Sequence, residues 1–414
     1  MKKKTTRGRG SSRVAWESLE KWARLEIQEW IQELMVAEVT EHLGRERSER
    51  RKPVDTTAGY RNGYGKPRKL TMSIGTVTVR RPRVRDVEEG FESRVLPLFK
   101  RRTETVSELI PELYLHGLAH GDFDLALRGL LGDKAPLSAS TVSRLKEKWQ
   151  GEYEEWLTRP LDELEVVYLW VDGVYVKAGL EKEKAAVLVA VAGLSDGRKI
   201  VLTLEAGHRE SEASWSSLLR KLKKRGLRCP RLVVGDGHLG IWAAIRNVFP
   251  DAKEQRCWNH RILNVLDRIP KKYQLQAKPL LTAIPYAENL KECEKSKSSF
   301  QEWCGRKNLP EAVRVLDEDW ERMVTFFSFP KPHWQHLRTS NVVESPFAAL
   351  RLRTDAAKRF KKVETATAAI FKLLLVAEKH FRRLNAPELM REVYLGVRFE
   401  DGQRAIESKK VAAA

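Results

Sequence analysis

Residues 166–176 read Val166-Val-Tyr-Leu-Trp-Val-Asp-Gly-Val-Tyr-Val176, an apolar run that is interrupted by one carboxylate, Asp172. The β-branched and aromatic residues predict a buried strand, in which a carboxylate is costly unless it has a partner. A second aspartate, Asp236, closes the apolar run 232–235, and a third carboxylate, Glu344, follows far downstream. If the three converge, a hard divalent cation is their natural partner and phosphoryl transfer is the natural reaction.

The elements predicted around these residues indicate an α/β fold. Three antiparallel strands are predicted at 166–176, 185–192 and 200–204. Helices and strands then alternate, with strands at 231–235 and 252–257 and helices at 211–224, 239–248 and 259–269. This is the order of a ribonuclease H-like mixed-sheet core, with Asp172 on its central strand. Asp236 would end a parallel neighbour, so the two carboxylates would lie side by side.

Each carboxylate also has a simpler interpretation. Asp-Gly pairs are common in turns, and both aspartates are followed by glycine. Glu344 stands three residues after Asn341, the spacing of a capping box, so its side chain could return to the helix N-terminus. The order of the elements favours three metal ligands instead. Gly235 and Gly237, on either side of Asp236, would leave the backbone open to a metal or a phosphate.

The metal predicted for three carboxylates is magnesium. The three carboxylates would hold two Mg²⁺ ions, because a ligand set made only of oxygen atoms suits Mg²⁺ better than it suits Zn²⁺. Mn²⁺ is expected to substitute for Mg²⁺. Cys257-Trp-Asn-His260 resembles half of a zinc site, but the other cysteines offer no second pair at matching spacing. We therefore expect Cys257 and His260 to form part of the active-site wall.

The net charge predicts a polyanionic partner. The chain has 76 Lys and Arg against 56 Asp and Glu, a formal charge of +20, which favours nucleic acid over a membrane surface. No run approaches the roughly 20 apolar residues of a membrane span. Four cysteines without a regular spacing fit a reducing compartment, so an intracellular protein is expected.

The predicted DNA-binding elements precede the core. A basic arm and N-terminal helices are followed by a small β element, and then by helices predicted near 106–116, 123–131 and 141–149. The last two would form a helix-turn-helix, although a plain helical linker fits the pattern equally well. The candidate DNA-binding residues are Arg61, Arg83, Arg85, Ser143, Arg144, Lys146, Arg351 and Arg353.

A set of longer motifs accompanies these residues. Before the core stand Tyr60-Arg-Asn-Gly-Tyr64 and Pro82-Arg-Val-Arg85. The others are Asp172-Gly-Val-Tyr-Val-Lys177, Glu210-Ser-Glu-Ala-Ser-Trp215, Asp236-Gly-His-Leu-Gly-Ile241, Phe249-Pro250, Cys257-x-x-His260, Thr339-Ser-Asn-Val-Val-Glu-Ser345 and Arg382-Arg-Leu-Asn-Ala386. Over nearly its whole length, the chain resembles the IS256-type transposases of bacterial insertion sequences, which are related to eukaryotic Mutator-like transposases. Ser345-Pro346-Phe347 departs from the Ser-x-Asn that many members carry.

The resemblance implies a DDE transposase whose catalytic and metal-binding triad is Asp172, Asp236 and Glu344. It also implies an all-α insertion at 271–335. Such an enzyme binds double-stranded DNA at terminal inverted repeats, cuts 3′ ends and joins them to target DNA, with a circular intermediate. A homodimer or higher multimer is expected in the synaptic complex, in the cytoplasm of a bacterium and associated with its nucleoid, with no membrane partner.

The predicted organisation is an α/β multidomain protein whose ribonuclease H-like core follows helical and small-β DNA-binding domains. The predicted boundaries are 1–52 for the arm and first helices, 53–100 for the β element, 101–160 for the helix-turn-helix-like domain, 161–270 for the first part of the core, 271–335 for the insertion, 336–400 for the core completion and 401–414 for a tail. Two alternatives are a transposase-derived DNA-binding protein without catalysis and a ribonuclease H-fold nuclease. The three carboxylates disfavour the first, and the basic N-terminal elements disfavour the second.

Overall fold

The computed structural model describes residues 19–50, 59–87, 90–98, 100–115, 139–178, 185–207, 211–237, 239–347, 350–351, 360 and 362–405. The chain divides into two compact units, Met1–Leu145 and Lys146–Ala414. The boundary between them falls inside a helix, Ala139–Thr158.

The N-terminal unit is built on one amphipathic helix, α1 (Leu19–Leu43). Its buried residues recur every four positions, and Ile31 and Met35 pack with Leu70, Val77 and Val79 of the β element in a small core. The β element has four short strands, β1 (Tyr60–Tyr64), β2 (Arg68–Met72), β3 (Gly75–Val79) and β4 (Pro82–Arg85). Strand β1 pairs with β4 and β2 with β3, both antiparallel. The predicted helix and small β element are therefore present.

Two helices follow the β element, α2 (Glu104–Leu115) and α3 (Ala139–Thr158). They overlap the first and third helices predicted for this region, and α3 extends further toward the C-terminus than its predicted counterpart. The predicted helix at 123–131, and with it the helix-turn-helix, lies outside the described residues.

The second unit contains one five-stranded mixed sheet. Its strands are β5 (Val166–Val176), β6 (Ala185–Leu194), β7 (Lys199–Gly207), β8 (Leu232–Gly235) and β9 (Lys253–Arg256), in the order β7-β6-β5-β8-β9. Strands β5, β6 and β7 are antiparallel, whereas β8 and β9 run parallel to β5. The prediction of three antiparallel strands followed by parallel ones on a mixed sheet is confirmed.

The two faces of this sheet bury alternate residues of β5, as the two-residue period of a strand requires. On one face, Leu169 and Val171 join a core with helices α4 (Glu212–Lys224) and α5 (Leu239–Val248). On the other face lie Tyr168 and Trp170. The Tyr168 hydroxyl is 2.8 Å from Nδ1 of His333, and Trp170 Nε1 donates to the carbonyl of His336 at 2.9 Å.

The rest of the described chain is largely helical. The helices are α6 (Trp258–Leu266), α7 (Lys271–Ala283), α8 (Leu290–Lys307), α9 (Pro310–Asp317), α10 (Trp320–Val324), α11 (Trp334–Leu337), α12 (Asn341–Glu344), α13 (Val363–Glu378) and α14 (Pro387–Leu395). The region 271–330 is helical, with short 3-10 turns between its helices. A hairpin, β10 (Phe399–Glu400) and β11 (Gln403–Arg404), includes the first residues of the predicted tail. Within the described residues, no helix is long and apolar enough to cross a membrane.

Helix α6 is fastened to the helical region by a buried arginine, Arg261. Its guanidinium donates to the backbone carbonyls of Val315 and Glu318, the latter at 2.7 Å, and lies 3.6 Å from Asp319 Oδ2. A buried cation needs such partners, because burial without them costs several kcal/mol. Arg261 therefore ties the helix that follows the last strand of the sheet to residues some 50 positions downstream.

We expect Arg261→Leu to lower the free energy of unfolding by about 3 kcal/mol, because the buried Val315 carbonyl and the partly buried Glu318 carbonyl lose their donor and Asp319 loses one of its cationic neighbours. Urea denaturation followed by circular dichroism measures the change. Arg314→Ala is the matched control, since Arg314 is an exposed arginine that pairs with Glu311 and Glu318 and its loss should have little effect. Similar effects of both substitutions would contradict a stabilising role for the buried arginine.

Candidate active site

Asp172 and Asp236 lie at the same level on neighbouring strands. The parallel pairing of β5 with β8 matches Tyr168 with Leu232 and Trp170 with Val234. Two residues further along the same register, Asp172 comes opposite Asp236, which follows the last residue of β8. Both side chains are partly exposed. The register of these strands therefore agrees with the predicted side-by-side arrangement of the two residues.

Glu344 lies at the end of a helix that packs on the face of the sheet to which Asp172 belongs. Asp172 has the same parity along β5 as Tyr168 and Trp170, so its side chain belongs to the face that those residues occupy. Helix α12, which ends at Glu344, packs against β5 and β6. It follows directly after α11, the helix whose His336 carbonyl bonds Trp170 on that face. The fold thus brings the third carboxylate to the strand that carries the first.

The contacts of Glu344 correct the capping-box interpretation. The N-cap of α12 is Ser340, not Asn341, and its hydroxyl donates to the Glu344 carboxylate. The Asn341 side chain instead accepts a hydrogen bond of 3.0 Å from Asn259 Nδ2 at the start of α6. Glu344 is therefore held by a serine hydroxyl one turn away, and its helix is bonded to α6.

Cys257 and His260 stand where the fifth strand meets α6. The Cys257 amide donates to the Gly235 carbonyl at 2.8 Å, and Cys257 Sγ accepts the Ser340 amide at 3.3 Å. His260 Nδ1 lies 3.8 Å from Glu344 Oε1. Donor atoms of Cys257, His260 and Glu344 all lie within 4.8 Å of one another.

The electrostatics of His260 connect Glu344 with Asp236. The pKa of His260 is raised to about 9, chiefly by a hydrogen bond with Cys257 and also by the negative charges of Glu344 and Asp236, against the opposing effect of burial. An opposite charge within a few ångströms favours the protonated ring. At neutral pH the imidazole is therefore a cation that faces two of the three carboxylates.

Of the two glycines beside Asp236, Gly237 is required by its backbone conformation and by the side chain packed against it. A Cβ on Gly235 would lie 3.4 Å from Val171 Cγ2, and a Cβ on Gly237 would lie 2.1 Å from Arg256 Nε. Gly237 also has a φ of +99°, which side chains rarely adopt. The Arg256 side chain fills the space where a Cβ on Gly237 would lie, whereas a Cβ on Gly235 would be in ordinary van der Waals contact with Val171.

A cationic cavity of about 330 Å³ adjoins α12. Its lining residues are Lys199, Gln335, His336, Thr339, Asn341, Val342, Ser345, His380, Phe381 and Arg382. No carboxylate is among these described residues, although Glu344 is the neighbour of Ser345. Burial lowers the pKa of Lys199, as expected for a cation in a confined space. The cavity suits an anion next to the carboxylates.

A second cationic cavity, of about 510 Å³, lies in the N-terminal unit. Five of its lining residues are cations and none is acidic; the cations are Lys66, Arg68, Arg81, Arg83 and Arg101. Burial lowers the pKa of Arg68, and the nearby charges of Arg81 and Arg101 lower it further. Arg83 was a predicted DNA-binding residue, whereas the contribution of Arg68 and Arg101 could be recognised only once the strands were paired.

The other candidate DNA-binding residues lie at separate places. Arg61 is engaged within the N-terminal unit, where its guanidinium donates to Thr40 Oγ1 at 2.9 Å and to the Arg45 carbonyl at 2.8 Å. Arg85 is exposed and lies 3.6 Å from Asp86. The remaining candidates are Ser143, Arg144 and Lys146 on α3, Arg351 on the exposed surface, and Arg353, which falls outside the described residues.

We expect His260 to lose its proton near pH 9 in the metal-free protein, and Glu344→Gln to lower that midpoint by removing a negative charge. Titration of the histidine ring protons by NMR measures both values. The internal control is His336, whose pKa is lowered to about 4 mainly by burial and should not respond to Glu344→Gln. A His260 midpoint near the ordinary 6.5 would contradict the contact with Cys257 and Glu344.

Comparison with known proteins adds a consistent set of relatives. Residues 6–383 match the family described as "Transposase, Mutator family". The chain is 42% identical over 298 residues to the transposase for insertion sequence element IS6120 of Mycolicibacterium smegmatis, over 72% of this chain and 92% of that protein. It is 37% identical over 279 residues to the transposase for IST2 of Acidithiobacillus ferrooxidans (67% and 94%), and 26% identical over 349 residues to the IS256 transposase in transposon Tn4001 of Staphylococcus aureus (83% and 86%). The chain therefore belongs to the Mutator family of transposases.

Proposed function

We propose that this transposase is a DDE enzyme in which Asp172, Asp236 and Glu344 carry metal-dependent cleavage and joining of DNA. The observation that carries the proposal is the register of β5 and β8. These strands are parallel neighbours, and their register brings Asp172 of β5 level with Asp236, which directly follows β8. Helix α12 adds the third carboxylate on the same face of the sheet. Carboxylates that lie near one another repel unless a cation neutralises them, which favours a metal ion at this site.

The strand order supports a ribonuclease H-like core. Strand β5 is central, with two antiparallel neighbours on one side and two parallel strands on the other. The helical residues between the last strand and Glu344 correspond to the all-α insertion proposed at 271–335. Their attachment to α6 through Arg261 supports an insertion that is anchored to the core.

The residues present fit magnesium. Asp172, Asp236 and Glu344 offer only oxygen donors and are partly exposed, as ions that retain several water ligands require. When bound, Mg²⁺ supplies Lewis-acid stabilisation of the negative charge at the reacting phosphate.

The protein itself contributes position and positive charge. The backbone pairing of β5 and β8 sets the separation of Asp172 and Asp236, so no flexible loop determines it. Ser340 orients Glu344 through its hydroxyl. The protonated ring of His260 beside these carboxylates can contact the phosphate of a DNA strand. This preorganisation lowers the cost of aligning the reacting groups.

The two cationic cavities supply sites for DNA phosphates. The cavity beside α12 would receive the strand next to the scissile phosphate. The cavity of the N-terminal unit, which contains Arg83, would contact the terminal inverted repeats. Arginine and lysine clusters bind phosphates largely without regard to sequence. Because two DNA ends must be joined, we propose a homodimer or a higher multimer as the active species.

Two alternatives make different predictions. A DNA-binding protein that has lost catalysis would bind the ends but leave them uncut. A ribonuclease H-fold nuclease would cut without preference for the ends and without joining. The cluster of carboxylates favours a transposase over the non-catalytic DNA-binding protein. The named relatives favour a transposase over a nuclease.

We expect Asp172→Asn, Asp236→Asn and Glu344→Gln each to reduce DNA cleavage and joining to background while end binding persists. The assay uses labelled duplex carrying the sequences that flank this gene, with Mg²⁺, and measures binding by gel shift. Asp267→Asn is the matched control, because Asp267 is exposed at the end of α6, and should cleave normally. Full cleavage by a triad variant would remove that residue from the catalytic set.

We expect the double substitution Arg83→Gln with Arg101→Gln to weaken end binding and to flatten its dependence on salt. Each lost phosphate contact should reduce the slope of log affinity against log salt by about 0.9. Fluorescence anisotropy at several salt concentrations measures this slope. Arg246→Gln, which removes an exposed arginine beside Glu254, is the control. An unchanged slope in the double variant would show that the N-terminal cavity does not contact phosphates.

A further inference from the structure

Cys257, His260 and Glu344 form a group whose chemistry differs from that of the carboxylate triad. Among the residues that the structure describes, these are the His, Cys and acidic side chains whose donor atoms come together within 4.8 Å. The sulfur is buried, while His260 and Glu344 are partly exposed.

The donor set suits a borderline or soft metal ion. Thiolate sulfur, imidazole nitrogen and carboxylate oxygen are the ligands of Zn²⁺ in proteins, whereas Mg²⁺ avoids sulfur. Bond lengths near 2.0–2.1 Å place tetrahedral N and O ligands roughly 3.4 Å apart. The observed 3.8 Å between His260 Nδ1 and Glu344 Oε1 is within a few tenths of an ångström of that separation.

The third ligand of this group comes from a distant part of the chain. Cys257 and His260 stand three positions apart at the start of α6, and by themselves they make only half of a site. Glu344 arrives from α12, across the helical region. Ser340 joins the two parts, because its amide donates to Cys257 Sγ and its hydroxyl to Glu344. Three protein ligands leave the fourth position of a tetrahedral ion for water.

We propose that Cys257, His260 and Glu344 form a zinc site, and that Zn²⁺ in this site withholds Glu344 from the magnesium-binding carboxylates and inhibits the enzyme. Binding replaces the S–H bond of Cys257 with a sulfur–zinc bond and an N–H bond of the protonated His260 ring with a nitrogen–zinc bond, and both protons pass to solvent. The charges of the thiolate and Glu344 then balance that of the ion. The site itself stands on geometry alone, whereas the inhibition rests on the proposed function.

The first experiment uses Co²⁺ as a visible substitute for Zn²⁺ on the metal-free, full-length protein. We expect one equivalent to produce a thiolate-to-cobalt charge-transfer band together with the visible bands of tetrahedral cobalt, and Zn²⁺ to abolish both. Cys257→Ser should lose the charge-transfer band. His260→Gln and Glu344→Gln should weaken binding by more than roughly 100-fold, because even groups that only support a metal ligand contribute about 10- to 100-fold.

The matched controls are Cys229→Ser, which removes an exposed thiol, and Asp172→Asn, which removes a carboxylate of the triad. Both should bind cobalt as the wild type does. A band that survives Cys257→Ser, or one that disappears with Cys229→Ser, would overturn the site. His260→Gln keeps the buried sulfur in place and decides the matter if Cys257→Ser does not fold.

The second experiment adds Zn²⁺ to Mg²⁺-supported cleavage of the end duplex. Cleavage should fall to background as the zinc site fills, at the concentration found by cobalt competition. Cleavage that continues with the site full would overturn the inhibition but leave the site. Cobalt binding in a protein that never cleaves DNA under any metal would instead count against the proposed function.

Discussion

The parallel hydrogen bonding of β5 to β8 is the constraint on which the candidate site depends. A shift of that register by one residue would turn every side chain of one strand to the opposite face and separate Asp172 from Asp236. The apolar residues that precede both aspartates prevent the shift, because Val171 and Val233 must remain in the core with α4 and α5. Hydrophobic packing on one face of the sheet thus positions charge on the other.

The third carboxylate depends on tertiary contacts instead of strand pairing. Helix α12 has a single turn, too short to be stable alone, and its position comes from the bonds of Ser340 and Asn341 to the start of α6. Helix α6 is in turn held by Arg261, which bonds the helical region on its other side. The helices between the sheet and Glu344 therefore determine where that carboxylate lies.

Much of the sheet could be predicted because β5, β6, β7 and β8 are largely apolar runs rich in β-branched residues. Asp172 and Asp236 were recognisable for the same reason, since each stands out against the run that contains it. Contacts between distant residues could not be predicted: the capping-box spacing pointed Glu344 to the wrong partner, and the approach of Cys257 to Ser340 spans 83 positions. The cavity lined by Arg68 and Arg101 likewise required the pairing of strands that no local pattern specifies.

The position of Glu344 in the chain has a consequence for synthesis. All five strands of the sheet are complete at Arg256, so the ribosome delivers both aspartates long before the third carboxylate. At about 5–20 residues per second, several seconds separate the two events. During that interval, the growing polypeptide contains neither Glu344 nor Ser340. The cluster is thus assembled only after most of the protein has been made.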